Sequence, residues 1–218
     1  YLVFNEGHTA TAGASLTRPE LTGEALRLGR LLVELLPGAA EPRGLLALMV
    51  LTEARCPARV DDGVLVRLAD QDRNLWDRAL VSEGQALVRS CLEQNEPGAY
   101  QVQAAIAAVH ADAPNGPATD WSQIVVLYDH LLLLRPTDVV SLNRAIAVAE
   151  LRGPAAGLAA LSHIDLDGYH LIHAAPGEFL RRLGRVDEVR VALSRAIDMA
   201  TNEVELRHLR AQLDSLPD

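Results

Sequence analysis

Apolar residues recur at helical steps through most of this chain, and breakers divide them into segments of helix length. Leu21, Ala25, Leu28, Leu32 and Leu35 follow one another at steps of four, three, four and three, one apolar stripe of the kind a helix lays on a core. Thr17-Arg18-Pro19-Glu20 before it has capping-box spacing with proline in the first turn, and Pro37-Gly38 ends it. Pro42 opens a second helix through Leu45, Leu48, Met49 and Ala54, closing near Pro57. Asp61-Asp62-Gly63 is a turn and Val64 to Leu68 a short extended or irregular passage, after which the pattern predicts a long helix from Asp70 to about Gln94. Tyr100 to Ala111 reads as an alanine-rich helix. Beyond the breaker Ala113-Pro114-Asn115-Gly116-Pro117, Asp120 with Gln123 starts another helix that runs to Leu134.

The last third repeats one grammar: a small-residue helix, a glycine turn and a second amphipathic helix. Gly153 and Gly184, the two turn glycines, lie 31 residues apart, close to the ~34-residue period of tetratricopeptide helix pairs. Pro176-Gly177 is expected to kink the helix that begins at Tyr169. Asn202 with Glu205 caps a final helix whose Leu206, Leu209, Leu213 and Leu216 form a heptad-like seam. No stretch alternates cleanly with period two. The fold class is therefore all-α: stacked antiparallel helix pairs, with a tetratricopeptide-like array in the C-terminal half. The break near Gly116 divides a helical subdomain at 1–116 from the repeats at 117–218.

Composition narrows the function. Of the 218 residues 49% are hydrophobic and only 4% aromatic, so the core is built from Ala, Leu and Val. The net charge of -9 repels nucleic-acid phosphates, and no direct nucleic-acid binding is expected. All 20 basic residues are arginine. Cys56 and Cys91 are too few for a secreted disulfide scaffold and read as reduced thiols in a cytoplasm. The longest apolar run, Leu45 to Leu51, falls far short of the ~20 residues that span a bilayer. Tyr1-Leu2-Val3-Phe4, apolar and without Met, reads as a cut from a longer protein.

Several groups invite chemistry. In Gln71-Asp72-Arg73-Asn74-Leu75-Trp76-Asp77, Arg73 and Trp76 form either a partner site or an internal clamp. Arg181, Arg182 and Arg185, with Arg190 and Arg195, either dock an acidic segment or make a solvated face balanced by Asp187 and Glu188. His110 and Asp112, two apart, point to different helix faces and do not suit a catalytic pair. His170 and His173, with Glu178, are the best metal-ligand spacing, but three or four convergent ligands are needed and HExxH is absent. Asn5, Glu6 and Gly7 read as a turn in which Gly7 supplies backbone freedom. No phosphate loop, GxSxG or Cys/His signature is present. The expectation is a binding module and not an enzyme, with no cofactor and no metal.

Phe4-Asn5-Glu6-Gly7, Arg18-Pro19-Glu20-Leu21, Gln71-Asp72-Arg73, Trp76-Asp77, Gln101 to Ala111, Thr119-Asp120-Trp121, Leu142-Asn143-Arg144-Ala145 and Leu180 to Arg185 follow one another in order. This succession, which covers nearly the whole chain, resembles the extracytoplasmic-function (ECF) sigma factors of bacterial RNA polymerase that carry a long C-terminal helical extension. Departures include His8, where that family usually has Tyr, Cys56-Pro57 within an Arg/Ala-rich stretch, and Pro176-Gly177. The resemblance implies a cytoplasmic tetratricopeptide-like extension that regulates transcription initiation. RNA polymerase core and promoter DNA would then be bound by sigma regions that precede the Phe-Asn-Glu-Gly stretch and are missing from this chain. The chain itself would contact those sigma regions or a regulatory protein. A free-standing tetratricopeptide-like adaptor, or an enzyme with a His170/His173 metal site, are the other readings.

Overall fold

The computed structural model describes residues 1–11, 13, 15–162, 164 and 171–217, with the side chains of 171–174 left out. Eleven α-helices stand among these residues: α1 (Leu2–His8), α2 (Pro19–Leu35), α3 (Ala40–Glu53), α4 (Arg78–Gln94), α5 (Ala99–Asp112), α6 (Trp121–Leu134), α7 (Asp138–Arg152), α8 (Pro154–Leu161), α9 (Leu171–Arg182), α10 (Val186–Met199) and α11 (Glu203–Asp214). The all-α class holds, with one addition: β1 (Val60–Asp61) and β2 (Val64–Leu65) pair antiparallel around Asp62 and Gly63. Both turn residues adopt positive φ, 46° and 76°, the two-residue geometry that suits the twist of a short hairpin.

Each helix packs on its chain neighbours, and the core is a relay of clusters. Phe4, Leu26, Met49 and Val50 join α1, α2 and α3; Ala47, Leu51, Val88 and Ala104 join α3, α4 and α5. Ile106, Ile124, Leu131 and Val148 join α5, α6 and α7, so apolar packing runs unbroken across Gly116. Leu142, Ala149 and Phe179 join α7 to α9, and Leu180, Leu193 and Leu209 carry the core to α11. Gly153 (φ 93°) and Gly184 (φ 72°) sit at the turns of two helix pairs, where a side chain would strain the backbone. Gly44 serves a different need: a Cβ there would lie 2.7 Å from the backbone nitrogen of Gln101, so its absence lets α3 and α5 touch.

The array also closes on itself. Asn202, fully buried, caps α11 by accepting from the backbone N–H of Val204 at 2.9 Å. Its amide nitrogen donates to the carbonyls of Ala10 (3.0 Å) and Ser15 (3.1 Å). Thr201 donates to the Thr11 carbonyl, and the amide of Glu203 to that of Gly13. The sequence foresaw Asn202 as a cap and nothing of its second task.

Four local expectations need correction. Asn5, Glu6 and Gly7 are helical, and Gly7 is small because Thr22 N would lie 2.7 Å from its Cβ. The N-cap of α2 is Arg18, without a side-chain bond, so Thr17 closes no capping box. The helix expected from Asp70 begins only at Arg78, because Asp72 and Asp77 both turn their carboxylates onto following backbone N–H groups. Asp77 thereby becomes an N-cap, the competing role that makes Asp a poor interior helix residue. Finally, α2 buries Thr22, Ala25, Leu26 and Gly29, and the leucines of the expected stripe lie to one side of that face. Pro176 lies inside α9, which continues to Arg182. Tyr169 and His170 lie outside the described residues.

Candidate functional site

Arg73 and Trp76 are turned inward, 6% and 4% exposed. The guanidinium lies 4.2 Å from the centre of the indole ring and donates through Nη1 to the carbonyls of Leu68 (2.9 Å) and Gln71 (3.3 Å). The amide of Asp77 donates to the Ala54 carbonyl, tying the segment to the end of α3. The pair is thus an internal clamp that orders the passage between the hairpin and α4. Its two side chains reach the outside only at the wall of a recess of about 330 Å3 that they share with Asn74, Arg78 and Pro114.

Arg181, Arg182 and Arg185 are surface residues, each with its own carboxylate. Arg181 pairs with Glu178 and Arg185 with Glu188 in bidentate fashion, and Arg182 reaches Glu150 at 2.6 Å. Glu178 also receives Arg67 at 2.8 Å. The acids that pair with these three are therefore Glu178, Glu150 and Glu188, while Arg190 of the same cluster donates to the Pro217 carbonyl. Glu178, engaged by two arginines, is poorly placed to complete a metal site; His170 and the His173 side chain lie outside the described residues. His110 packs edge-on against Trp121, while Asp112 accepts from Gln85, so the two do not meet.

An exposed apolar stretch among the described residues lies on α2. Leu28, Leu31, Leu32 and Leu35 are all exposed, Leu35 at 68%, and Leu36 continues the patch beyond the helix end. Arg27, Arg30 and Glu34 border it around a shallow recess of about 300 Å3 that includes Leu31. The border arginines are held by Glu24 and Glu83 at 2.8 and 2.9 Å. An apolar centre with a paired, charged rim is the anatomy of a protein-binding patch.

Sequence reasoning missed a second grouping. His8 closes α1, Glu53 closes α3, and Cys56 opens the turn that follows. Cys56 Sγ lies 3.6 Å from His8 Nδ1 and 3.7 Å from Glu53 Oε2. Thr22 Oγ1 donates to Glu53 Oε1 at 3.1 Å, and the His8 ring stacks on Phe4. Arg59 donates to the carbonyl of His8 and to Thr9 Oγ1. Burial, then the charges of Arg59 and Arg55, push the His8 imidazole down to about 2. Burial, then the Glu53 carboxylate, pushes the Cys56 thiol up to about 11, so this thiol is no activated nucleophile. The local signal was Glu53 three residues before Cys56; His8, itself a departure from the sigma-factor pattern, is brought in from 45 residues upstream of Glu53.

No helix among the described residues is long and apolar enough to cross a membrane. No solved structure matches this chain. Over 219 aligned residues it is 46% identical to an uncharacterized protein of Rhizobium meliloti (strain 1021), an alignment that takes in 99% of this chain and 52% of that protein. The chain thus spans about half the length of the curated relative it matches. Residues 1–92, which include the α2 leucine patch and the His8–Glu53–Cys56 grouping, are similar to a family of unknown function (DUF6596).

Proposed function

We propose that this chain is a cytoplasmic, protein-binding regulatory module, the C-terminal extension of an ECF-type sigma factor, and that it binds without catalysing a reaction. The observation that carries the binding role is the run of exposed leucines on α2, bordered by paired charge. The sigma-factor context is supported by the ordered succession of motifs along the chain. It also accords with the Rhizobium relative, about half of which lies outside the match and leaves room for further regions. The partner that fits the patch is an apolar helix face of the sigma regions themselves. RNA polymerase core and promoter DNA would be contacted by those regions and not by this chain. Docking would favour one sigma conformation over another and so shift the fraction competent for polymerase.

The test is transcription in vitro with core polymerase and a full-length sigma factor carrying this region, compared with a deletion of the region and with a Leu31→Glu/Leu35→Glu variant. Both changes are expected to alter promoter output in the same direction, with the DNA-binding region still folded. Output unchanged by the deletion, in vitro and in cells, would end the regulatory proposal and leave a free-standing adaptor as the reading to pursue.

A further inference from the structure

We infer that His8 Nδ1, the Glu53 carboxylate and Cys56 Sγ form a binding site for a zinc-like divalent transition-metal ion, with water in a fourth position. The three ligand atoms come from two distant chain segments and all lie within 4.8 Å of one another. The spacing is what such an ion requires. With Zn–S near 2.3 Å and Zn–N and Zn–O near 2.0–2.1 Å, a tetrahedral angle sets S···N and S···O edges of about 3.6 Å. The two sulfur edges here, 3.6 and 3.7 Å, match that spacing, and the His8–Glu53 edge lies within 4.8 Å.

The donor set, one imidazole, one thiolate and one carboxylate, suits a borderline ion such as Zn2+ and not Mg2+ or Ca2+, which prefer oxygen alone. The surroundings hold two of the ligands in place. Stacking on Phe4 fixes the plane of the His8 ring, and the Thr22 hydroxyl holds one Glu53 oxygen while the other faces Cys56. Arg59, bonded to the His8 carbonyl and Thr9, also hydrogen-bonds Cys56, and a bound dication would have to displace that contact. On binding, the Cys56 thiol releases its proton to solvent, and thiolate plus carboxylate neutralise the dication. With three protein ligands the site keeps an open position, unlike a closed structural zinc site.

The test uses the whole chain, stripped with chelator and titrated with Co2+ and then Zn2+. One equivalent of Co2+ should give a thiolate-to-cobalt charge-transfer band in the near ultraviolet with tetrahedral d–d bands, and Zn2+ should displace it. Cys56→Ser should abolish the charge-transfer band, and Glu53→Gln should weaken binding at least about tenfold. Cys91→Ser, altering a buried cysteine on α4, should leave both unchanged. Far-UV circular dichroism establishes that each variant is folded. Absence of the band at stoichiometric Co2+, or its survival in folded Cys56→Ser, would overturn the assignment.

Discussion

Replacing Asn202 by aspartate separates its two roles. As a helix cap, Asp is about as good as Asn, so a residue that only caps α11 would tolerate the change at little cost. Here the amide nitrogen also donates to the carbonyls of Ala10 and Ser15, and the residue is fully buried. Aspartate would turn a carboxylate oxygen toward two carbonyl oxygens in a site without solvent. Alanine gives the reference magnitude: about 1 kcal/mol for the lost cap, plus about 1–3 kcal/mol for leaving the buried Ala10 carbonyl without its donor. The expected loss is about 2–4 kcal/mol, or a fall in Tm of about 10 °C for a chain of this size. Urea and thermal denaturation of wild type, Asn202→Ala and Asn202→Asp should rank Asp as at least as damaging as Ala. If Asp is instead as stable as wild type, the closure contributes nothing and Asn202 is only a cap.

Gly44→Ala should destabilise by about 1–3 kcal/mol, since its methyl meets the backbone of α5. Gly23→Ala, exposed in α2 with nothing within 4 Å, should stabilise by about 0.5–1 kcal/mol, and thermal melts of the two read the contrast. His110 is held down to about 4, first by burial and then by the charges of Arg55 and Arg73, so below pH 6.5 the unfolded chain takes up a proton that the folded chain refuses. Stability from this group is full above pH 6.5 and is lost at about 1.4 kcal/mol per pH unit as pH falls toward 4. Between pH 7 and 5, wild type should lose about 2 kcal/mol more than His110→Gln by urea midpoint. Leu35→Ser should leave stability within about 0.5 kcal/mol, because its side chain, 68% exposed, already faces water. A larger loss would mean that the patch is part of the core.

Much of the fold was legible because its signals are local. Asp120 and Asn202 cap helices whose first-turn N–H groups lie two or three residues away, and Gly153 and Gly184 mark turns that need positive φ. Where a local signal competed with another, the reading failed: Asp72 and Asp77 took the following N–H groups and broke a helix that polarity alone would have continued. Which side of an apolar helix is covered is not local at all. Leucine is equally apolar on both faces of α2, and only the position of α3 and α1 decides that Leu26 is core and Leu35 is surface. The same holds for Arg73 and Trp76, whose residue types suit a hot spot and an interior clamp alike until the path of the backbone turns them inward. The amino-acid sequence by itself determined the helical class, the helix pairs and most helix ends, since each depends on neighbours within a turn. Tertiary structure alone decided the exposed leucines, the clasp of Asn202 on the first loop and the meeting of His8 with Glu53 and Cys56, since each joins residues that only packing brings within reach.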